Sequence, residues 1–380
     1  MKRQYALLGA ASALSMLCAP LAAHPLDDAS IWVYEGARPE AKTPPPAQPG
    51  QAAKPSDAPE SFFMTVFPET GERRLTLDVP ARRALKAKDA APPGGGHHAW
   101  TAALGIRRET LDWNIAPLNG VPNVLSELEW ETNMVELRID GEWIAANGFT
   151  LTGEMTYASG FSGEARDSDY LRNDRQGEFS RAYAKPRSST ASRLALGLGW
   201  RIAPHSRVGL TPLLGYAYQE QDLRMRHGRQ AVSVSHPELG IYPPPLGPFH
   251  GLDASYQPRW HGPWLGFRLE ARGDIFDLRL GAKRQWFDYR ANADWNLRDD
   301  FAHPRSYTQH GYSRGWQWEL GGRWKLSPQS AITFTLEQQQ QHLKNGTDRV
   351  FFSSGHSSTT RLNRVNWESW SAALGWRVDF

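Results

Sequence analysis

The sequence lacks three features that each indicate a common class of protein: paired cysteines, a second long apolar run, and a strong excess of one charge. Its one cysteine, Cys18, lies in the first two dozen residues, so disulfides and thiol chemistry are excluded from the rest of the chain. Beyond that start, no apolar run reaches the roughly 18 residues of a membrane-spanning helix, which excludes a helical membrane protein. A net charge of +3 gives no uniform basic field, and we expect no nucleic-acid partner.

The first residues are the exception to this lack of apolar runs. Lys2 and Arg3 precede an apolar stretch of signal length, and small residues follow as far as Ala22 and Ala23. A charged start, an apolar centre and a small-residue cleavage site are typical of a secretory signal peptide. We therefore predict a cleaved signal peptide over 1–23 and export from the cytoplasm.

The segment 24–98 is rich in Pro, Ala, Lys and Gln and ends in "APPGGGHH". Such a composition cannot bury enough apolar surface to fold, so the sequence predicts a disordered arm. His97 and His98 have no further ligands at a useful spacing, and we interpret them as flexible loop residues and not as metal ligands. No other pattern predicts a metal site.

From residue 99 to residue 380 the apolar side chains recur at every second position, which is the period of a β-strand. The C-terminal segment is the clearest case, because Trp370, Leu374, Trp376 and Phe380 share one face while Arg377 lies on the other. Strands with one apolar and one polar face fit a soluble sandwich or a membrane barrel.

The connections between about ten predicted strands decide between these two architectures. Short connections such as "AANG" and "SPQ" alternate with long ones such as 228–250 and 297–308. Short turns on the periplasmic side and long loops outside are typical of outer-membrane barrels. We therefore predict an all-β, ten-stranded antiparallel barrel in the outer membrane of a Gram-negative-type bacterium. The terminal Phe380 is similar to the C-terminal signature through which such barrels meet the barrel-assembly machinery.

Two carboxylates in one predicted outer loop, Asp167 and Asp169, are the first candidate site. Side chains at i and i+2 of an extended chain point the same way, so the two would lie side by side near the barrel mouth. Mutual repulsion can raise the pKa of one of them and favour a shared proton. The alternative is an ordinary solvated loop.

Several segments resemble known families over roughly 99–380. "LSELEW", the "AANG" turn and "DSD" resemble, in order and spacing, the omptins, which are outer-membrane endoproteases built as ten-stranded barrels. "ETLDWNIAP", "PNVLSELEW", "GEFSR" and "ADWNLR" resemble still more closely the omptin-related group named after a Protochlamydia outer-membrane protein. The first resemblance implies a catalytic role for Asp167 and Asp169. The second implies a barrel or pore role without proteolysis.

The omptin resemblance also implies an Asp-x-His pair in the fourth outer loop, where His acts as general base. In one register Asp294 takes the Asp position, and Asn296 stands where His is needed; an amide cannot hold the proton. In the other register Asp300 pairs with His303, at a spacing one residue too long unless the chain turns locally.

Omptins require lipopolysaccharide for activity, and the resemblance implies a lipid partner here too. Arg224, Arg226 and Arg229 in the third outer strand and loop are the candidates for its phosphates, unless they form only a solvated basic loop. We expect no other cofactor, and whether the chain is an enzyme stays open.

Two hypotheses follow. In the first, the chain is a non-proteolytic surface or pore barrel whose acidic outer cleft has a binding or structural role. In the second, it is an endopeptidase for basic peptides that uses an Asp–Asp and Asp–His site. The missing His at position 296 favours the first.

Overall fold

The computed structural model describes residues 96–202 and 206–380. The predicted signal peptide and nearly all of the predicted arm lie outside these residues. Twelve strands occur within them, and they are β1 (His97–Ala116), β2 (Ser126–Ile144), β3 (Phe149–Tyr170), β4 (Glu178–Lys185), β5 (Thr190–Trp200), β6 (Val208–Ser233), β7 (Gly247–Pro248), β8 (Asp253–Arg272), β9 (Phe276–Asp294), β10 (Tyr307–Ser327), β11 (Ser330–Phe351) and β12 (Ser357–Asp379).

The strands pair antiparallel into one closed sheet. Its order is β2-β1-β12-β11-β10-β9-β8-β6-β4-β3-β5, and a further β2–β3 pairing joins the two sides of the path. A sheet that closes in this way is a barrel and leaves no long unpaired edge. The predicted all-β barrel is confirmed.

The strand count differs from the predicted ten for a local reason. β3 pairs with β4 over 165–170 and with β5 over 149–159, so β4 and β5 share one position around the barrel. Pro186 follows β4 directly and, having no N–H, cannot continue the ladder. β7 is a two-residue pairing with β6 in the long loop after it. Leaving β7 aside, eleven strands therefore occupy ten positions around the barrel, because β4 and β5 share one.

Two short 3₁₀ turns, Asn173–Arg175 and Pro237–Leu239, lie in the loops. Within the parts of the chain that the structure describes, no helix has the length and apolar composition to cross a membrane.

A belt of exposed apolar side chains surrounds one end of the barrel. On β5, Leu194, Leu196, Leu198 and Trp200 all point outward and are 47–59% exposed, as the alternation predicts. Outward positions nearer the loops are charged instead, for example Glu164 and Arg166 on β3, after the last exposed apolar residue Phe161. The belt fits the lipid core, and the charged part extends beyond it on the side of the longer connections, here called the outer end.

Inside the belt, the lumen is crossed by charged side chains. Arg138 on β2 reaches Glu337 on β11 (2.7 Å), and Lys283 on β9 reaches Glu154 on β3 (2.7 Å). Arg193 on β5 contacts Glu337 (3.4 Å) on the opposite side of the ring. A cavity of about 50 Å³ lies among these paired groups, towards the end of the barrel opposite the outer end. The lumen at membrane level is therefore filled by side chains.

Above these ion pairs comes a layer of glutamines. Gln339 donates to Gln219 (3.2 Å) and Gln285 (3.1 Å), and Gln341 donates to Gln285 (2.5 Å). Nearer the outer end the buried interior becomes apolar and largely aromatic. This change matches the outer surface, because a barrel wall that faces water needs an apolar interior while one that faces lipid does not.

The predicted boundary of the arm shifts by two residues. His97 and His98, expected to be flexible, are the first residues of β1, and His97 Nε2 lies 3.1 Å from Asp379 Oδ1 at the end of β12. The pair joins the first and last strands at the end of the barrel opposite the outer end.

Candidate functional site

Asp167 and Asp169 lie on β3 and not in a loop, because β3 continues as far as Tyr170. Both point into the barrel and are 3% and 0% exposed. β2 and β4 hold them on either side: Asp167 pairs in register with Leu128 and Ala182. The two carboxylates therefore share one face, as predicted, but they lie in a buried interior where an open acidic cleft was expected.

The two carboxylates lie beyond the apolar belt, and Asp169 affects the ionisation of Asp167. Burial, followed by repulsion from the Asp169 carboxylate, raises the pKa of Asp167 well above its usual range, and attraction to Arg298 opposes this. No side chain among the described residues donates a hydrogen bond to Asp167, and the one opposing hydrogen bond comes from the Ser168 backbone. The Asp167 carboxyl thus suits a neutral state.

A group of buried rings, here called the aromatic layer, fills the interior around the pair. Its members are Trp113, Trp130, Tyr256, Trp295 and Tyr307. Their ring centroids lie close together, 5.0 Å for Trp130–Tyr256, 5.8 Å for Trp113–Tyr307 and 4.9 Å for Trp295–Tyr307. The rings exclude solvent from the two aspartates and leave no open channel at this level of the described barrel.

Asp294 and Asn296 flank Trp295, which is the inward residue of this segment. Along β9 the buried positions are 287, 289, 291 and 293, so Asp294 points to the outside of the barrel. Asn296 accepts a hydrogen bond from the Asp253 amide (2.9 Å) and donates one to the Gly251 carbonyl (2.7 Å). It joins two loops, and neither residue faces Asp167 and Asp169.

The predicted pairing of Asp300 with His303 is wrong. Asp300 accepts two hydrogen bonds from Arg298 (2.7 and 2.6 Å), while His303 Nδ1 lies 2.6 Å from Asp294 Oδ1. An Asp–His contact therefore exists, nine residues apart in sequence, on the outer surface. A base there cannot deliver water to the buried pair, because the barrel wall and the aromatic layer lie between them.

No pattern in the sequence indicates that Arg298 is buried. Its side chain is 1% exposed and its guanidinium carbon lies 4.0 Å from the Phe301 ring centre. The residue belongs to the segment 295–306, here called the mouth loop, which joins β9 to β10. The mouth loop therefore carries the positive charge of Arg298 towards Asp167 and Asp169.

A second buried carboxylate was also missed. Asp348 on β11 accepts hydrogen bonds from Gln309 (3.1 Å) and Thr360 (2.8 Å), and Gln309 accepts one from Tyr256 (2.7 Å). Asp348 lies beyond the belt, and burial raises its pKa to about 6 although both hydrogen bonds oppose this. An isolated Asp between polar residues carries no sequence signal for such a network.

The three arginines proposed for lipid phosphates lie at the outer end of β6. Arg224 pairs with Asp222 (2.9 Å) and Arg226 with Asp253 (3.0 Å), while Arg229 forms no ion pair within the described residues. Two other outward arginines were missed. Arg284 lies over the Trp316 ring (5.0 Å), Arg314 is next to Trp286 in register, and neither has a carboxylate partner in the described part of the chain.

Metal binding finds no support in this geometry. Within residues 96–202 and 206–380, no three His, Cys, Asp or Glu side chains come together as a metal ion would require.

Comparison with one solved structure indicates the same architecture, and two others are less similar. The outer membrane protease OmpT from Escherichia coli superposes with a TM-score of 0.64 at 14% identity, over 77% of this chain and 99% of that chain. OprG from Pseudomonas aeruginosa gives a TM-score of 0.30 at 9% identity, over 76% of this chain and 97% of that one. An outer membrane channel from Pseudomonas putida F1 gives 0.26 at 14% identity, over 77% and 98%. At these identities the likeness to OmpT shows the fold alone.

Sequence comparison identifies the family. No curated protein sequence matches this chain significantly. The profile of the Protochlamydia outer membrane protein family, Pom, matches residues 101–380, which include nearly every strand of the barrel. The chain therefore belongs to the Protochlamydia outer membrane protein family and is an outer-membrane β-barrel.

Proposed function

We propose that this protein is a closed, non-proteolytic surface barrel whose role is binding or structural. One observation carries the proposal: the acidic pair faces the interior, whereas the only nearby Asp–His contact in the described chain faces outward. Water attack on a peptide needs the base within hydrogen-bond reach of the attacking water. Asp167 and Asp169 are, in this account, part of the buried framework of the outer barrel.

The filled lumen argues in the same way against a pore. Charged pairs cross the membrane level, glutamines lie above them, and the aromatic layer lies above those. A ten-position barrel is narrow enough for side chains to fill. A solute path would need all three layers to move together.

The outward-facing side chains of the barrel fit the lipids of the outer leaflet better than any other partner. Arg284 and Arg314 lie at the upper edge of the apolar belt, beside Trp316, Trp318 and Trp286. Unpaired arginines next to interfacial tryptophans suit the phosphates of lipopolysaccharide or of another anionic lipid. Arg224 and Arg226, already paired with aspartates, are weaker candidates.

Peptide cleavage tests the proposal. The refolded chain, with lipopolysaccharide, is incubated with a fluorogenic peptide carrying adjacent basic residues, beside an Asp167→Asn, Asp169→Asn double variant. We expect no cleavage by either, while OmpT under the same conditions serves as the positive control. Cleavage by the wild type that the double variant loses would overturn the proposal in favour of the endopeptidase hypothesis.

The lipid contact is tested by thermal unfolding in micelles with and without added lipid. We expect lipid A to stabilise the wild type, and an Arg284→Gln, Arg314→Gln variant to lose about 1 kcal/mol of that gain per arginine. The matched Arg224→Gln, Arg226→Gln variant should keep it. Phosphatidylglycerol and dephosphorylated lipid A, run in parallel, separate a general anionic contact from one specific to lipid A. Equal losses in both double variants would contradict the assignment to β9 and β10.

A further inference from the structure

His303 lies between two hydrogen-bond acceptors. Its Nδ1 is 2.6 Å from the Asp294 carboxylate, and its Nε2 is 3.2 Å from the carbonyl oxygen of Arg298. Neither acceptor carries a proton to give when Asp294 is ionised. Both contacts are hydrogen bonds only if both ring nitrogens carry hydrogen, which is the imidazolium form.

The Arg298 carbonyl has a second donor, the amide of Phe301 at 2.9 Å. It therefore lies at the centre of the tight turn 298–301, on which the Arg298 and Phe301 side chains enter the barrel mouth. Arg298 attracts the buried Asp167 carboxylate electrostatically. A bond from His303 to this carbonyl thus fixes the part of the mouth loop that carries Arg298.

We propose that His303 is a proton-dependent latch on the mouth loop. Protonated, it ties Asp294 at the end of β9 to the Arg298 carbonyl and holds the loop inserted over Asp167. After it loses a proton, one of the two hydrogen bonds breaks and the loop loosens. Among side chains, histidine is the one whose charge ordinarily changes between about pH 5 and 8.

Other charged groups surround the latch and belong in the account. They are Asp294 on β9, Asp253 on β8 beyond Asn296, Arg349 on β11 beyond Phe351, and Arg298, Asp299, Asp300 and Arg305 within the mouth loop itself. Asp300 is neutralised by its two bonds from Arg298. Asp294 is the one carboxylate that contacts the imidazole directly among the described residues.

Two ties that do not involve His303 limit the size of the effect. Asn296 bridges the mouth loop to Gly251 and Asp253, and Phe301 packs edge-on against Phe352 with ring centres 5.8 Å apart. Deprotonation should therefore loosen the turn without releasing the loop. The loss of one hydrogen bond to a charged group corresponds to a change of about tenfold in the opening equilibrium.

Hydrogen exchange of the full chain in micelles, followed by mass spectrometry, tests the latch. Protection of the 295–306 amides, corrected for the intrinsic pH dependence of exchange, is compared at about pH 5.5 and about pH 8. We expect about tenfold more protection at the lower pH in the wild type. His303→Gln and Asp294→Ala, which removes the acceptor of Nδ1–H, should each show the lower protection at both pH values.

Two controls distinguish a latch from a general loosening. His356→Gln, in the neighbouring loop, should keep the pH dependence of the wild type, whereas Asn296→Ala should lower protection equally at both pH values. Equal protection of the wild type at the two pH values overturns the proposal. So does a pH dependence that survives in His303→Gln, or in Asp294→Ala if the His303 variant does not fold.

Discussion

An Arg138→Ala variant is expected to lose about 3–5 kcal/mol of the free energy of unfolding. The Arg138 side chain is 4% exposed and contacts four carboxylates: Asp140 (2.9 Å), Glu337 (2.7 Å), Glu319 (3.0 Å) and Glu154 (3.3 Å). Removing it leaves these acids facing one another in a water-poor lumen, and a buried charge without its partner is costly. Urea titration of the refolded barrel in micelles measures the loss.

Two further variants sharpen this prediction. Arg138→Lys keeps the charge but not the forked geometry that several carboxylates share, so its loss should be intermediate. Arg207→Ala removes an ion pair with Asp274 whose side chains are 77% and 81% exposed, and it should change stability by less than about 0.5 kcal/mol. A loss for Arg138→Ala as small as that for Arg207→Ala would show that water fills the lumen, contrary to the structure.

Asp348→Asn is expected to stabilise the barrel at neutral and alkaline pH. Burial raises the pKa of Asp348 from 3.8 to about 6, so the folded state binds the proton more tightly than the unfolded state. The folded barrel is then favoured below about pH 3.8, and this advantage is lost as pH rises through about 6. The full difference corresponds to about 3 kcal/mol at pH 8. Asparagine can bond to both partners without the charge, because its amide oxygen accepts from Gln309 and its NH2 group donates to the Thr360 hydroxyl.

The measurement is urea unfolding of wild type and Asp348→Asn at several pH values between about 4 and 8. The gain should be near zero at the acid end and reach its maximum above about pH 6. Asp274→Asn, at an exposed carboxylate, should give no gain at any pH. If Asp348→Asn is instead less stable than the wild type at pH 8, the ionised carboxylate is better solvated than its burial implies.

The fold was readable from the sequence because lipid imposes a regular pattern on the outer face. Alternation along segments such as 194–200 places every second side chain in the apolar belt, and the structure confirms it. The interruption between β4 and β5 was harder to see. Pro186 marks the break. After it, β5 returns to the same position around the barrel because it pairs with β3, and such long-range pairing cannot be seen in the local sequence.

The candidate site was only partly readable. That Asp167 and Asp169 share a face follows from their spacing, but their burial depends on distant residues such as Trp130 and Tyr307. The alternation along β9 could have shown that Asp294 and Asn296 face outward. The apolar residues Ala291, Ala293 and Trp295 occupy the alternate positions, which face the interior. The Asp294–His303 contact spans nine residues across a loop, and no local spacing rule predicts it.

Ion conductance across a planar bilayer tests the central claim most directly, because a closed lumen permits no current. The refolded full chain, inserted in lipid that contains lipopolysaccharide, should show no stable open-channel steps, since paired charges, glutamines and the aromatic layer all cross the interior. Steady steps of uniform size that vanish when the protein is omitted would contradict the account and make a pore the barrel's function.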